Sequence, residues 1–148
     1  MVLIFAASDC PISNRYVPEV ARLSRKYSAQ GIHFWWVFPD PQDTADIVAK
    51  HDQEFSITES VLLDTRQTLV HMAHASITPE AAVFLVTPNG LREVYHGRID
   101  DRYLSIGRER PQPQQHDLED AIAAVLAGKP VTHPFGQPVG CAIIPLQP

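Results

Sequence analysis

The sequence predicts a three-layer α/β sandwich built on a mixed sheet. Two observations carry this prediction. Over the first half of the chain, short apolar runs alternate with segments of helical periodicity, which predicts parallel strands joined by helical crossovers. Further on, Pro88-Asn89-Gly90 lies between two strand-like runs and predicts a tight hairpin, which adds antiparallel strands at one side of the sheet.

Val2 to Ala7 is continuously apolar, as expected of a central strand covered on both faces. Ser8 and Asp9 then supply helix-capping chemistry, and Pro11 suits a first helical turn. From Asn14 to Ser28, Val17, Val20, Leu23 and Tyr27 recur at helical spacing, and Gly31 suits the connection that follows. Ile32 to Phe38 reads as a second buried strand, closed by Pro39, Asp40 and Pro41. A helix over 44–55, a short strand over 61–63 and a helix over 66–75 follow. Ile77-Thr78-Pro79-Glu80 is a turn into the strand 81–86, and 91–96 is the return strand. Residues 97–115 read as a polar loop rich in Arg and Pro. His116 or Asp117 caps a last helix over 118–126, which Gly128 ends. Residues 1–128 form one expected domain. Residues 129–148 form an extended tail with little regular structure, packed on that domain.

Composition narrows the function. A chain of 148 residues with 45% hydrophobic content can bury one sizeable core. The formal charge of −5 leaves no electrostatic footprint for nucleic acid or an anionic membrane. No apolar run is long enough to span a bilayer, and no Gly-rich phosphate-binding loop implies an organic cofactor. Two cysteines, Cys10 and Cys141, do not make a disulfide-stapled scaffold.

Cys10 is expected at the start of a helix, where unpaired backbone N–H groups and the helix dipole stabilise a thiolate. Ser13, one turn on, can donate a hydrogen bond to it, and Arg15 can add positive charge. Asp9 works against ionisation. The alternative is a buried, inert thiol. Cys141 lies in Pro-Val-Gly-Cys-Ala-Ile-Ile-Pro. About 13 extended residues reach roughly 40 Å, enough for the tail to return across a small domain. Cys141 then either resolves an oxidised Cys10, within the chain or across a homodimer, or anchors the tail as a small apolar residue. His71 and His74 can share a helix face, but two histidines without a third ligand are a weak metal signal. No metal is assigned.

The segments FAASDCPIS, GIHFWWVFPDPQDTADIVAKH and VLLDTRQTLVHMAHASITPEAAVFLVTPNGLREVYHGRID, taken in order, resemble the thioredoxin superfamily. The redoxin branch, of AhpC/TSA and TlpA-like proteins, is the nearer likeness, because the segment 43–64 matches its insertion. Two departures are visible. Ser13 stands where a Cys-x-x-Cys reductase has its second cysteine. Leu3 and Ala7 stand where a peroxiredoxin has Pro and Thr. The resemblance implies that Pro79 is cis and that Thr78 turns its backbone toward Cys10, free to pair with a bound peptide. It also implies that Arg98, Asp100, Asp101 and Arg102 border the same face, with Arg98 and Asp101 orienting substrate or forming a charged rim.

The activity implied is a thiol-dependent oxidoreductase with an antioxidant, AhpC/TSA-like character. A disulfide or a peroxide is the substrate, and an external thiol is the reductant. The alternative is a non-catalytic redoxin module that binds a metal or a partner. The chain opens inside a core strand without an export signal, so it reads as cytoplasmic as it stands. Exported relatives are common in this branch, and a preceding segment would make it periplasmic.

Overall fold

The computed structural model describes residues 1–146. Its central sheet has six strands: β1 (Val2–Phe5), β2 (Phe34–Phe38), β3 (Ser60–Leu63), β5 (Glu80–Thr87), β6 (Gly90–Gly97) and β9 (Phe135–Gly136), in the spatial order β3-β2-β1-β5-β6-β9. β2 pairs parallel to both β1 and β3, and β5 pairs antiparallel to both β1 and β6. The predicted α/β architecture and mixed sheet are therefore present.

Alternation along β1 divides the core. Val2, Ile4 and Ala6 join the cluster under α2 (Val17–Tyr27) and α5 (Asp117–Leu126), while Leu3 and Phe5 join Val70, Ala73 and Ala75 on the other face. α3 (Ala45–Phe55) adds Val48 to the first layer, and α4 (Thr68–Met72) supplies Val70 to the second. A strand buried on both faces has to be apolar throughout, which is why residues 2–5 carry no polar side chain.

Four local readings need correction. The helix expected over 14–28 is broken at Tyr16 into α1 (Pro11–Arg15) and α2. Pro18 is the cause: it has no N–H for the Asn14 carbonyl, and its ring opposes a continuous turn there. The helix expected over 66–75 contracts to α4, because Gln67 adopts a left-handed conformation. The Asp64 carboxylate instead accepts the backbone N–H groups of Thr68, Leu69 and Val70. The loop 97–115 contains a small hairpin, β7 (Tyr103–Ser105) with β8 (Arg108–Glu109).

The tail also holds regular structure. Its Phe135–Gly136 segment pairs parallel to β6. Gly97 is needed there: with φ at +135°, a Cβ on it would stand 2.0 Å from the Gly136 carbonyl oxygen. Further on, β10 (Cys141–Ala142) pairs antiparallel with β4 (Ile77–Thr78). The end of the expected tail, residues 147 and 148, lies outside the described residues.

Candidate functional site

β1 ends just before Cys10, which occupies the N-cap position of α1 with Pro11 in the first turn. β5 runs antiparallel to β1, so its leading residues return to the same end of the sheet. There the Thr78–Pro79 peptide is cis. The Cys10 Sγ lies 3.3 Å from the Thr78 carbonyl oxygen. β10 sets Cys141 directly opposite Thr78, and the two sulfurs are 2.8 Å apart. Both cysteines are free thiols; Cys10 is 1% exposed, whereas Cys141 is exposed. Two sulfurs separated by 131 positions in sequence thus meet beside one turn.

The electrostatics divide the pair. Burial opposes ionisation of Cys10, but the Cys141 thiol, the Ser13 hydroxyl and N–H, and the Thr78 side chain together outweigh it. The Cys10 thiol consequently lies below its ordinary value. Ser13 is buried, and its Oγ has no partner in full hydrogen-bond geometry, which leaves the hydroxyl available to the sulfur. Cys141 moves the other way: burial, its bond to Cys10, and the charges of Cys10 and Asp9 raise it to about 11. The neighbouring carboxylate that sequence reasoning set against Cys10 therefore bears on its partner. Arg15 is exposed and is not among the groups that shift Cys10; its charge acts on Tyr103.

Thr78 is buried and holds the tail, donating its Oγ1 hydrogen to the Cys141 carbonyl at 3.4 Å. Pro79, Arg98 and Asp100 line one small crevice together with Tyr16 and Val139. Arg98 pairs with Asp117, with Nε 2.9 Å from Oδ2, and donates to the Gln115 side chain at 2.5 Å. Asp101 is buried and accepts the backbone N–H groups of Gln114 and Gln115 at 2.6 and 2.9 Å. Asp100 accepts from the Tyr16 hydroxyl at 2.5 Å and from the Arg102 N–H. Arg98 thus ties the 98–117 loop to α5, Asp100 ties it to Tyr16 at the α1–α2 junction, and Asp101 closes the loop on itself.

Sequence reasoning missed several contributors. Asn14 Nδ2 donates to the Ser8 carbonyl, and Asn14 Oδ1 lies 2.7 Å from the Nε2 of buried His51. Asp43 accepts from the Ser8 hydroxyl and N–H. These bonds fix the turn that carries Cys10. Gln67, buried, donates to the Ile144 carbonyl at 2.8 Å and accepts the Leu146 N–H, so it clamps the tail beyond Cys141. No spacing rule points to a lone Gln or His that acts through tertiary contact. Gly140 left a signal in Val-Gly-Cys: a Cβ there would stand 2.0 Å from the Thr78 carbonyl oxygen. His74 does not share a helix face with His71, because α4 ends at Met72 and His74 adopts a left-handed conformation beyond it; His74 lies instead with Glu93 and His96, whose Nδ1 is 2.7 Å from the Glu93 carboxylate.

A cleft of about 420 Å³ opens beside Cys141, between the tail and the loop 39–42. Pro39, Pro41 and Ile144 give it apolar walls, and Asp9 and Asp40 supply carboxylates.

No family model and no curated protein sequence matches the chain. Solved structures do. An uncharacterised conserved protein from Geobacillus kaustophilus is 25% identical, with a TM-score of 0.81, over 99% of this chain and 77% of that one. A hypothetical protein from Sinorhizobium meliloti 1021 is 25% identical, with a TM-score of 0.77, over 96% of this chain and 77% of that one. A protein described as a thiol:disulfide interchange protein, DsbE, from Chlorobium tepidum is 21% identical. Its TM-score is 0.61, over 84% of this chain and 78% of that one. With the strand order, the cis proline and these likenesses together, the chain has a thioredoxin-like redoxin fold.

Proposed function

We propose that the chain is a thiol-dependent oxidoreductase in which Cys10 supplies the thiolate and Cys141 the resolving thiol. The observation that carries this reading is the 2.8 Å approach of the two sulfurs beside the carbonyl that precedes the cis proline. The opposite shifts of the two thiols support it, because one cysteine is biased toward attack and the other toward holding its proton. The fold shared with a protein described as a thiol:disulfide interchange protein is consistent with it.

In the reaction, the Cys10 thiolate attacks one sulfur of a substrate disulfide and expels the other as a thiolate. The Cys141 sulfur, losing its proton, then attacks Cys10 in the mixed disulfide. This releases the second substrate thiol and leaves a Cys10–Cys141 bond. Two electrons have passed from the protein to the substrate, and an external thiol returns them. Ser13 stabilises the Cys10 anion, and Thr78 and Pro79 hold the backbone that aligns the sulfurs. Arg98 and Asp101 act by keeping the bordering loop in place.

The test is mass spectrometry of the reduced protein after a small aromatic disulfide is added. A single Cys10–Cys141 bond is expected, together with loss of turnover by about a thousandfold in Cys10→Ser. Two thiols that stay free, or turnover that survives the substitution, would overturn the reading.

A further inference from the structure

Building on that two-cysteine reading, we propose that the oxidised protein is re-reduced at Cys141, by an uncharged or cationic low-molecular-weight thiol that docks in the adjoining cleft. A dithiol protein laid along the proline loop is the route this excludes.

Residues 76–78 form a backbone edge beside the two sulfurs. An extended peptide would bind there by adding a strand. The protein's own tail already occupies that position. Cys141 stands opposite Thr78 and Ala142 opposite Ile77, and the Ile143 N–H donates to the Ser76 carbonyl at 2.9 Å. Gln67 secures the next turn of tail. Only in the reduced protein is the tail free of a covalent tie to this edge. A Cys10–Cys141 bond removes that freedom, because it ties the tail to the loop. The reductant of the oxidised form therefore meets a filled edge.

Access then selects the sulfur. Cys10 is buried, while Cys141 is exposed and lines the 420 Å³ cleft. An incoming thiolate attacks the Cys141 sulfur, forms a new S–S bond to it and breaks the bond to Cys10, which leaves as a thiolate. A second molecule of the same thiol attacks the sulfur of the first, giving a small disulfide and Cys141, which takes up a proton. Two thiols are oxidised and one protein disulfide is reduced. The shifts of the two cysteines agree with this direction, since the better leaving group is the thiol with the lower value.

Charge selects the thiol. Asp9 and Asp40 both line the cleft, and the Asp9 charge already reaches Cys141. They attract a cation and repel a carboxylate.

The experiment takes the purified, oxidised full chain and measures its reduction by cysteamine, 2-mercaptoethanol, mercaptoacetate and a reduced thioredoxin. Rates are compared per thiolate. Acid quenching and mass spectrometry then locate the adduct. Cysteamine is expected to exceed mercaptoacetate by about fivefold or more, with the adduct on Cys141. Asp9→Asn with Asp40→Asn should narrow that ratio. An adduct on Cys10, equal rates for the two small thiols, or a thioredoxin that outpaces both would overturn the proposal while leaving the two-cysteine reaction intact. Failure to form the Cys10–Cys141 bond at all would instead overturn the underlying reading.

Discussion

The reactivity proposed for Cys10 has a local cause: burial, which disfavours its anion, is outweighed by donors grouped around it, with Cys141 the strongest of them. Its alkylation rate should rise with pH around a midpoint below the usual free-cysteine value of about 8.5. A midpoint at or above that value would contradict the arrangement. Cys141→Ala removes a donor and should move the midpoint upward, even though it also uncovers the sulfur. A purely steric role for Cys141 would give faster alkylation with no change of midpoint. Ser13→Ala should slow alkylation at neutral pH by about two- to tenfold, the cost of one hydrogen bond to an anion. A variant that matches the wild type would remove Ser13 from the site.

Among the elements, β10 is the one that sets Cys141 opposite Thr78. Its docking depends on the absence of a side chain at residue 140, where the Thr78 carbonyl leaves no room for a Cβ. Gly140→Val should therefore displace the tail without touching either cysteine. Hydrogen–deuterium exchange should show lost protection at residues 76–78 and 141–143, and oxidation should yield less internal disulfide. Unchanged exchange would mean that the tail docks without this close approach. α3 offers a simpler check, since Thr44 caps it by accepting the Ile47 N–H. Thr44→Ala should cost about 1 kcal/mol in denaturant unfolding.

Across the whole molecule, acid and redox state should both change stability. Glu119 joins α5 to α2 through Arg22, Lys26 and Tyr27. Burial alone would raise its carboxyl value, but the hydrogen bonds from Arg22 and Lys26, the Arg22 charge and Tyr27 hold it at about 2. A carboxylate depressed on folding stabilises the native state above its unfolded value, about 4.3, and that contribution is lost as pH falls from there toward 2. Glu119→Gln should lower the melting temperature near neutral pH and flatten its decline in this acid window. Oxidation should act in the opposite sense. A Cys10–Cys141 bond closes a loop of more than a hundred residues, worth roughly 4 kcal/mol, so calorimetry should find the oxidised form melting roughly 10 °C higher.

The sequence by itself determined the strand-and-helix order, the hairpin at Asn89-Gly90 and the helix-start position of Cys10, because local periodicity, turn chemistry and capping report on neighbouring residues. It also pointed to Thr78-Pro79 through likeness to a known family. The break at Tyr16 was legible in Pro18, but the strong amphipathic spacing of Val17 to Tyr27 masked it. The tail was harder to read. Two-residue strands such as Phe135–Gly136 and Cys141–Ala142 have no periodicity of their own and exist only because β6 and β4 supply partners. The pairing of the two sulfurs, the reach of Asp9 to Cys141 rather than Cys10, and the support from Asn14, His51 and Gln67 were decided by tertiary structure alone. Each depends on distances between residues far apart along the chain, and those distances are set only when the core packs.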